Sequence, residues 1–169
     1  VYMAIRDALE GAKPRISADD MSSALKREAQ KAGEHKREMA TKNLRNGKDF
    51  MAKNKDKAGV TTLTNGIQYE VLRQGDGAQP KLSDTVKVHY AGTLIDGREF
   101  DSSKRRGEPA TFGVDGVIQG WQEVLPLMHV GARWLVTIPP DLAYGINGAG
   151  AAIGPNETLI FEIELLDII

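Results

Sequence analysis

No proline interrupts the chain between Pro14 and Pro80, and the first 58 residues hold only two of its ten aromatic side chains, Tyr2 and Phe50. That third of a 169-residue sequence lacks the material for a core of its own, but an unbroken helix is open to it. Ser17 stands as an N-cap with Asp20 three residues on. The sequence therefore predicts one helix from about Asp19 to about Lys57, roughly 58 Å long at 1.5 Å per residue. Met21, Leu25, Met39, Leu44 and Phe50 are scattered along it among charged residues, so it reads as a solvated stalk. Glu38 with Lys42 and Asp49 with Lys53 add ~0.3–0.5 kcal/mol per pair, whereas Gly33 and Gly47 each cost about 1 kcal/mol relative to Ala and are the two places where it could bend. Upstream, Tyr2, Ile5 and Leu9 recur at helical spacing until Gly11, the pattern of a helix cut at its start.

The net charge of -1 conceals an asymmetry. Residues 1–58 carry 14 Lys and Arg against 9 Asp and Glu, a net of +5, and residues 59–169 carry 8 against 14, a net of -6. The basic third interleaves acidic residues and has no aromatic between Lys26 and Arg45 to stack on a base, which argues against nucleic acid as a partner. No apolar run approaches the roughly 18 residues a membrane span needs. The absence of cysteine excludes disulfides, a thiolate nucleophile and thiolate zinc sites. The chain opens at Val1 without an initiator methionine or a leader pattern and reads as trimmed, so its start does not assign a compartment.

Beyond Gly59 the periodicity changes to two. Ile67, Tyr69 and Val71 alternate in GIQYEVLR, and Val86, Val88 and Tyr90 alternate in TVKVHYAGTL. The Asp96-Gly97 pair in IDGREF turns the chain back on itself. RWLVTI (133–138) and TLIFEIELLDII (158–169) read as two further strands, the last apolar on both faces for most of its length and therefore central. Trp121, Val124, Leu125 and Met128 fall at i, i+3, i+4 and i+7 on one face of a two-turn helix that Pro126 should loosen. The fold class this predicts is α+β: one antiparallel sheet over one short helix, preceded by the long helix.

The sequence offers little conventional chemistry. His35, His89 and His129 share no metal-ligand spacing, and His89, opposite in phase to Val88 and Tyr90, reads as a solvent-facing strand residue. No nucleophile elbow or Walker loop occurs, and the glycine series of GINGAGAAIG (145–154) follows no parallel strand, so it is a weak signal for phosphate. No cofactor or metal is implied. What remains is a supply of aromatic and aliphatic residues beside loops, among which Trp121 could be core filling or the floor of a site. A reaction without proton transfer could use such a pocket. Rotation about an X-Pro bond is one, since its barrier of ~20 kcal/mol reflects lost amide resonance rather than bond cleavage.

VHYAGTLIDGREFDSS, GEPATF, GVIQGWQEVLPLM, LAYG and TLIFEIELL occur in an order that resembles the FKBP-type peptidyl-prolyl cis/trans isomerases over residues 66–169. GPNETLIFEIELL together with the helical N-terminal part resembles the macrophage infectivity potentiator group. The resemblance implies a five- or six-stranded antiparallel half-barrel wrapped on the short helix, an isomerase domain over 59–169, and a helical dimerisation and stalk segment, N-terminally trimmed, over 1–58. It puts Trp121 beneath the proline ring, Tyr90, Phe112, Val117 and Phe161 as walls, Phe100 closing one side and Ile153 among the substrate contacts. The backbone N–H of Ile118 and the hydroxyl of Tyr144 would bond substrate carbonyls, and Asp101 would orient Tyr90 and Arg106 or meet the twisted carbonyl.

The implied partners are proline-containing peptides and unfolded proteins, macrolide inhibitors, and a second copy through the N-terminal helices. Chaperone-like activity and a Gram-negative periplasm or outer surface follow by the same resemblance, with cytoplasm the other compartment. Ala110 stands where an aromatic is common, Ala149 replaces a loop histidine, Gly154 a proline, and Gln119 a proline found in bacterial relatives. These four soften the pocket rim and bear on macrolide affinity and on preference before proline. A proline-segment binding module without catalysis is the rival reading, against which the joint presence of Tyr90, Asp101, Trp121 and Tyr144 argues.

Overall fold

The computed structural model describes residues 17–169. The helical spacing of Tyr2, Ile5 and Leu9 lies outside the described residues. Helix α1 runs Ala18–Asn54, ending three residues before the predicted Lys57. Ser17 caps it as expected: its Oγ accepts from the backbone N–H of Asp20 at 3.0 Å and donates to the Asp20 carboxylate at 2.7 Å.

The chain divides into two compact units between Glu38 and Met39. In the first, the α1 residues stand in solvent, with Met21 and Leu25 both exposed. In the second, the last turns of α1 lie on the sheet, and Ala40, Asn43 and Gly47 are buried. This corrects the reading of a helix solvated along its length. The buried face is made of a methyl, an amide and a glycine at i, i+3 and i+7, which an apolar pattern does not reveal. Two side-chain bonds fasten its end to the sheet. Gln68 Nε2 donates to the carbonyl of Met51 at 2.8 Å, and Asn54 Nδ2 to Gln68 Oε1 at 2.9 Å.

Seven antiparallel strands follow: β1 Val60–Thr62, β2 Gln68–Arg73, β3 Thr85–Leu94, β4 Glu99–Ser102, β5 Ala110–Gly113, β6 Arg133–Ile138 and β7 Leu159–Ile168. The sheet runs β1-β2-β6-β7-β3-β4, and β5 lies along the first half of β3 through pairs such as Val86 with Phe112. This exceeds the five or six strands expected because β1 and β5, of three and four residues, are too short to show alternation. The Asp96-Gly97 turn joins β3 to β4 as predicted, with Gly97 at φ 87°.

β7 is central, between β6 and β3. It is not apolar on both faces. Leu159, Phe161, Ile163 and Leu165 turn inward and are buried, whereas Glu162 and Glu164 turn outward and pair with Arg133, Lys104 and Arg73. Val71, expected to share a buried face with Ile67, is exposed toward the end of β2. His89 does lie on the outer face, but half-buried, its Nδ1 3.0 Å from Ser103 Oγ.

A single turn, α2 Ser103–Arg106, follows β4, and α3 Gln119–Val124 packs on the inner face of the sheet. At Leu125 the helix tightens into a 3₁₀ turn through Leu127, the adjustment that Pro126 forces. Trp121, Val124, Leu125 and Met128 are all buried as their spacing predicted. Gly120 lets α3 approach the sheet: a Cβ there would stand 2.5 Å from Ile138 Cγ2.

Candidate active site

The inward phase of β3 places Val86, Val88, Tyr90, Gly92 and Leu94 toward α3, and the fourth of these is where the site begins. A Cβ on Gly92 would lie 2.4 Å from Phe100 Cζ and 2.8 Å from Phe161 Cε1. The missing side chain is the space those two rings occupy, at a centroid distance of 5.5 Å and an interplanar angle of 86°. Around Trp121 three rings stand nearly perpendicular to the indole: Tyr90 at 5.3 Å and 87°, Phe161 at 5.4 Å and 85°, and Phe112 at 5.8 Å and 89°. Edge-to-face contacts suit the aromatic quadrupoles, and they turn one buried indole into a floor with three walls.

A cavity of about 540 Å³ opens above it. All the sequence-derived site residues line it except Arg106. Val117 and Ile118 come from the segment entering α3, and no acceptor among the described residues takes the Ile118 amide. Tyr144 and Ile153 come from the loop between β6 and β7. The Tyr144 side chain is 40% exposed and stands at the mouth. Buried without a partner among the described residues are two side-chain donors, the indole N–H groups of Trp121 and Trp134.

Asp101 carries the only ionised side chain in this lining. Its carboxylate accepts from the Tyr90 hydroxyl and from the Arg106 guanidinium. Arg106, at the end of α2, also donates to the Tyr90 oxygen at 3.0 Å and lies over the Tyr90 ring, 5.6 Å from its centroid. Arg106 therefore holds the site from outside the cavity. Burial acts to raise the Asp101 carboxyl, but the hydrogen bonds from Tyr90 and Arg106 outweigh it and leave it below the usual carboxylate range. The Tyr90 phenol is pushed up, first by burial and then by its bond to Asp101. A carboxylate so committed is an acceptor and an orienting charge, not a proton donor at neutral pH.

Sequence reasoning missed Gly92, Gly116 and Ala152. Gly92 was legible in principle, since the alternation that picks out Val88 and Tyr90 puts it on the same face. Gly116 and Ala152 line the cavity only because their loops fold over it, and no local pattern announces that. GINGAGAAIG, dismissed as a phosphate loop, forms the lip of the cavity through Ala149, Ala152 and Ile153.

An open antiparallel sheet packs on one short helix and encloses with it an aromatic cavity whose polar side chains are Asp101 and the hydroxyls of Tyr90 and Tyr144. Residues 77–166 match the family model described as FKBP-type peptidyl-prolyl cis-trans isomerase, and residues 1–71 that of the domain amino-terminal to it. The chain belongs to the FKBP-type peptidyl-prolyl cis-trans isomerase family. It is 48% identical over 165 residues to the "FKBP-type 22 kDa peptidyl-prolyl cis-trans isomerase" of Escherichia coli K12, covering 98% of this chain and 80% of that protein. It is 43% identical over 169 residues to the "Outer membrane protein MIP" of Legionella longbeachae, covering 97% of this chain and 72% of that one. The crystal structure of FkpA from Escherichia coli superposes with a TM-score of 0.83 at 40% identity, covering 99% of this chain and 79% of that chain.

Proposed function

We propose that the cavity seats the proline ring of an X-Pro segment on the Trp121 indole and lowers the barrier to rotation about the preceding amide. The observation that carries this is the floor itself, one indole with three rings edge-on to it. The planar amide is the more charge-separated form, so an apolar cradle disfavours the ground state relative to the twisted one. Phe112, Val117 and Phe161 exclude water, Phe100 closes one side, and Ile153 holds the other from the lip. The Ile118 amide and the Tyr144 hydroxyl are the donors for the flanking carbonyls. Asp101, held by Tyr90 and Arg106, orients the polar edge toward the twisting carbonyl.

Catalysed cis-to-trans isomerisation of a short Leu-Pro peptide tests the reading, with Trp121→Ala and Asp101→Ala compared after both are shown to fold. Acceleration depressed by both substitutions supports the assignment, and loss in Trp121→Ala alone leaves Asp101 as scaffold. No acceleration by the unmodified chain rejects catalysis and leaves a proline-binding module.

The same reading extends to the chain as a whole: residues 1–58 serve as a dimerisation and stalk segment and 59–169 as the catalytic domain, with unfolded proline-containing proteins as clients and macrolides as inhibitors. Exposed Met21 and Leu25, four residues apart on α1, support an apolar contact with a second copy. Equilibrium sedimentation showing only an 18.4 kDa species would reject the dimer. Bacterial relatives, one of them named an outer membrane protein, support a periplasmic or outer-surface location, which cell fractionation tests against the cytoplasm. No helix among the described residues is long and apolar enough to cross a membrane.

A further inference from the structure

The loop that forms the lip of the cavity is tied to α1. Asn43, 8% exposed, donates from Nδ2 to the carbonyl of Pro155 at 2.9 Å. Asn156 returns a longer contact, Nδ2 to the carbonyl of Ala40 at 3.4 Å. Between them glycine backbone meets side chain closely: a Cβ on Gly154 would lie 3.4 Å from Asn43 Nδ2, and one on Gly47 would lie 2.2 Å from Thr158 Oγ1. The tie continues into the cavity wall. The backbone N–H of Asn156 donates to the carbonyl of Gly145 at 2.8 Å, next to Tyr144, and Ile153 exchanges two backbone bonds with Ala149 at 2.9 and 3.1 Å. Asn156 adopts φ 54°, the one described residue other than glycine with positive φ, in the left-handed region that asparagine tolerates.

We infer that Asn43 is a positioning residue for the substrate lip, holding Tyr144 and Ile153 in place through its local tie to Pro155 and Asn156 rather than through the docking of α1 as a whole. The inference rests on the reading of the cavity as a proline site. Its physical basis is the part-buried bond from the Asn43 amide to the Pro155 carbonyl, which ties the two segments and is exchanged for water on both sides if the lip moves away. Asn43 touches no substrate. It acts through Pro155 and Asn156, and its removal should loosen the lip without disturbing the Trp121 floor.

The second fastening of α1 supplies the control. Asn54 bonds Gln68 on β2, which lines no part of the cavity. In the full chain, Asn43→Ala is expected to raise KM for a Leu-Pro peptide about threefold to tenfold with kcat held within about twofold, the range that coupling through one contact network commonly spans. Asn54→Ala is expected to leave both unchanged. Asn156→Gly approaches the same contact from the lip, keeps the positive φ, and decides the matter if Asn43→Ala does not fold. Hydrogen exchange at the amides of Ile153 and Asn156 gives a readout independent of activity and should quicken in Asn43→Ala and Asn156→Gly but not in Asn54→Ala. Unchanged KM with unchanged exchange at those amides overturns the inference, as does an equal effect of Asn54→Ala. If the unmodified chain isomerises nothing, the reading of the cavity fails instead, and the exchange rates alone decide whether Asn43 holds the lip.

Discussion

A methyl group on Gly92 would stand 2.4 Å from Phe100 Cζ, so the smallest substitution in the sheet falls where two site rings meet. Gly92→Ala should destabilise by about 1–3 kcal/mol, the usual range for overpacking, and should lower kcat/KM because Phe100 must leave its wall. Urea midpoints and the peptide assay check the two halves separately. Trp121→Ala removes the buried floor and should cost about 3–5 kcal/mol in the same unfolding measurement. Asp101 makes a prediction in pH. Its folded carboxyl lies below the ordinary value, so its contribution is fully present above the unfolded value of about 4 and is lost as pH falls through the lower folded value. The stability gap between the natural chain and Asp101→Asn should therefore be constant from pH 7 to about 5 and close toward pH 2, as urea midpoints at several pH values would show. A gap that widened in acid would contradict the assigned direction.

On α1 two glycines that look alike in sequence behave differently in the fold. A Cβ on Gly33 meets nothing within 4 Å, whereas one on Gly47 meets Thr158 Oγ1 at 2.2 Å. Gly33→Ala should stabilise the helix by up to about 1 kcal/mol, read as greater exchange protection in its neighbouring turns. Gly47→Ala gains the same propensity but must displace a buried threonine, and the net effect should be a lower melting temperature. The helical period at Trp121, Val124, Leu125 and Met128 was legible because it is a local property, and so was the break at Pro126. The strands β1 and β5 were not, since three or four residues hold too little alternation to distinguish a strand from a loop.

At the scale of the molecule the compact unit begins at Met39, and it buries Gln68 on β2 and Thr158 just before β7. Gln68 bonds the end of α1 directly, and Thr158 lies against Gly47. A chain of residues 39–169 should unfold cooperatively near the melting temperature of the globular part of the full chain. Trimming to 59–169 uncovers those polar groups and should lower that temperature by roughly 5 °C or more, measured by calorimetry. Equal melting temperatures for the two would show that α1 adds nothing to the domain.

The fold class was present in the amino-acid order, as was most of the set of residues that line the cavity. Period-two stretches specify an antiparallel sheet, one amphipathic turn and a half specifies the helix beneath it, and the family resemblance picked out the aromatic set because its motifs are contiguous. Which of those residues act together was decided by the fold. The Arg106 and Asp101 pair joins residues five positions apart, within reach of a motif, but Asn43 and Pro155 are 112 positions apart and Arg73 and Glu164 are 91. A buried amide or glycine on a charged helix carries no periodic signal of its own. Its partner is set by distance in space, and only the packed chain brings a residue of α1 against the lip of the aromatic cavity.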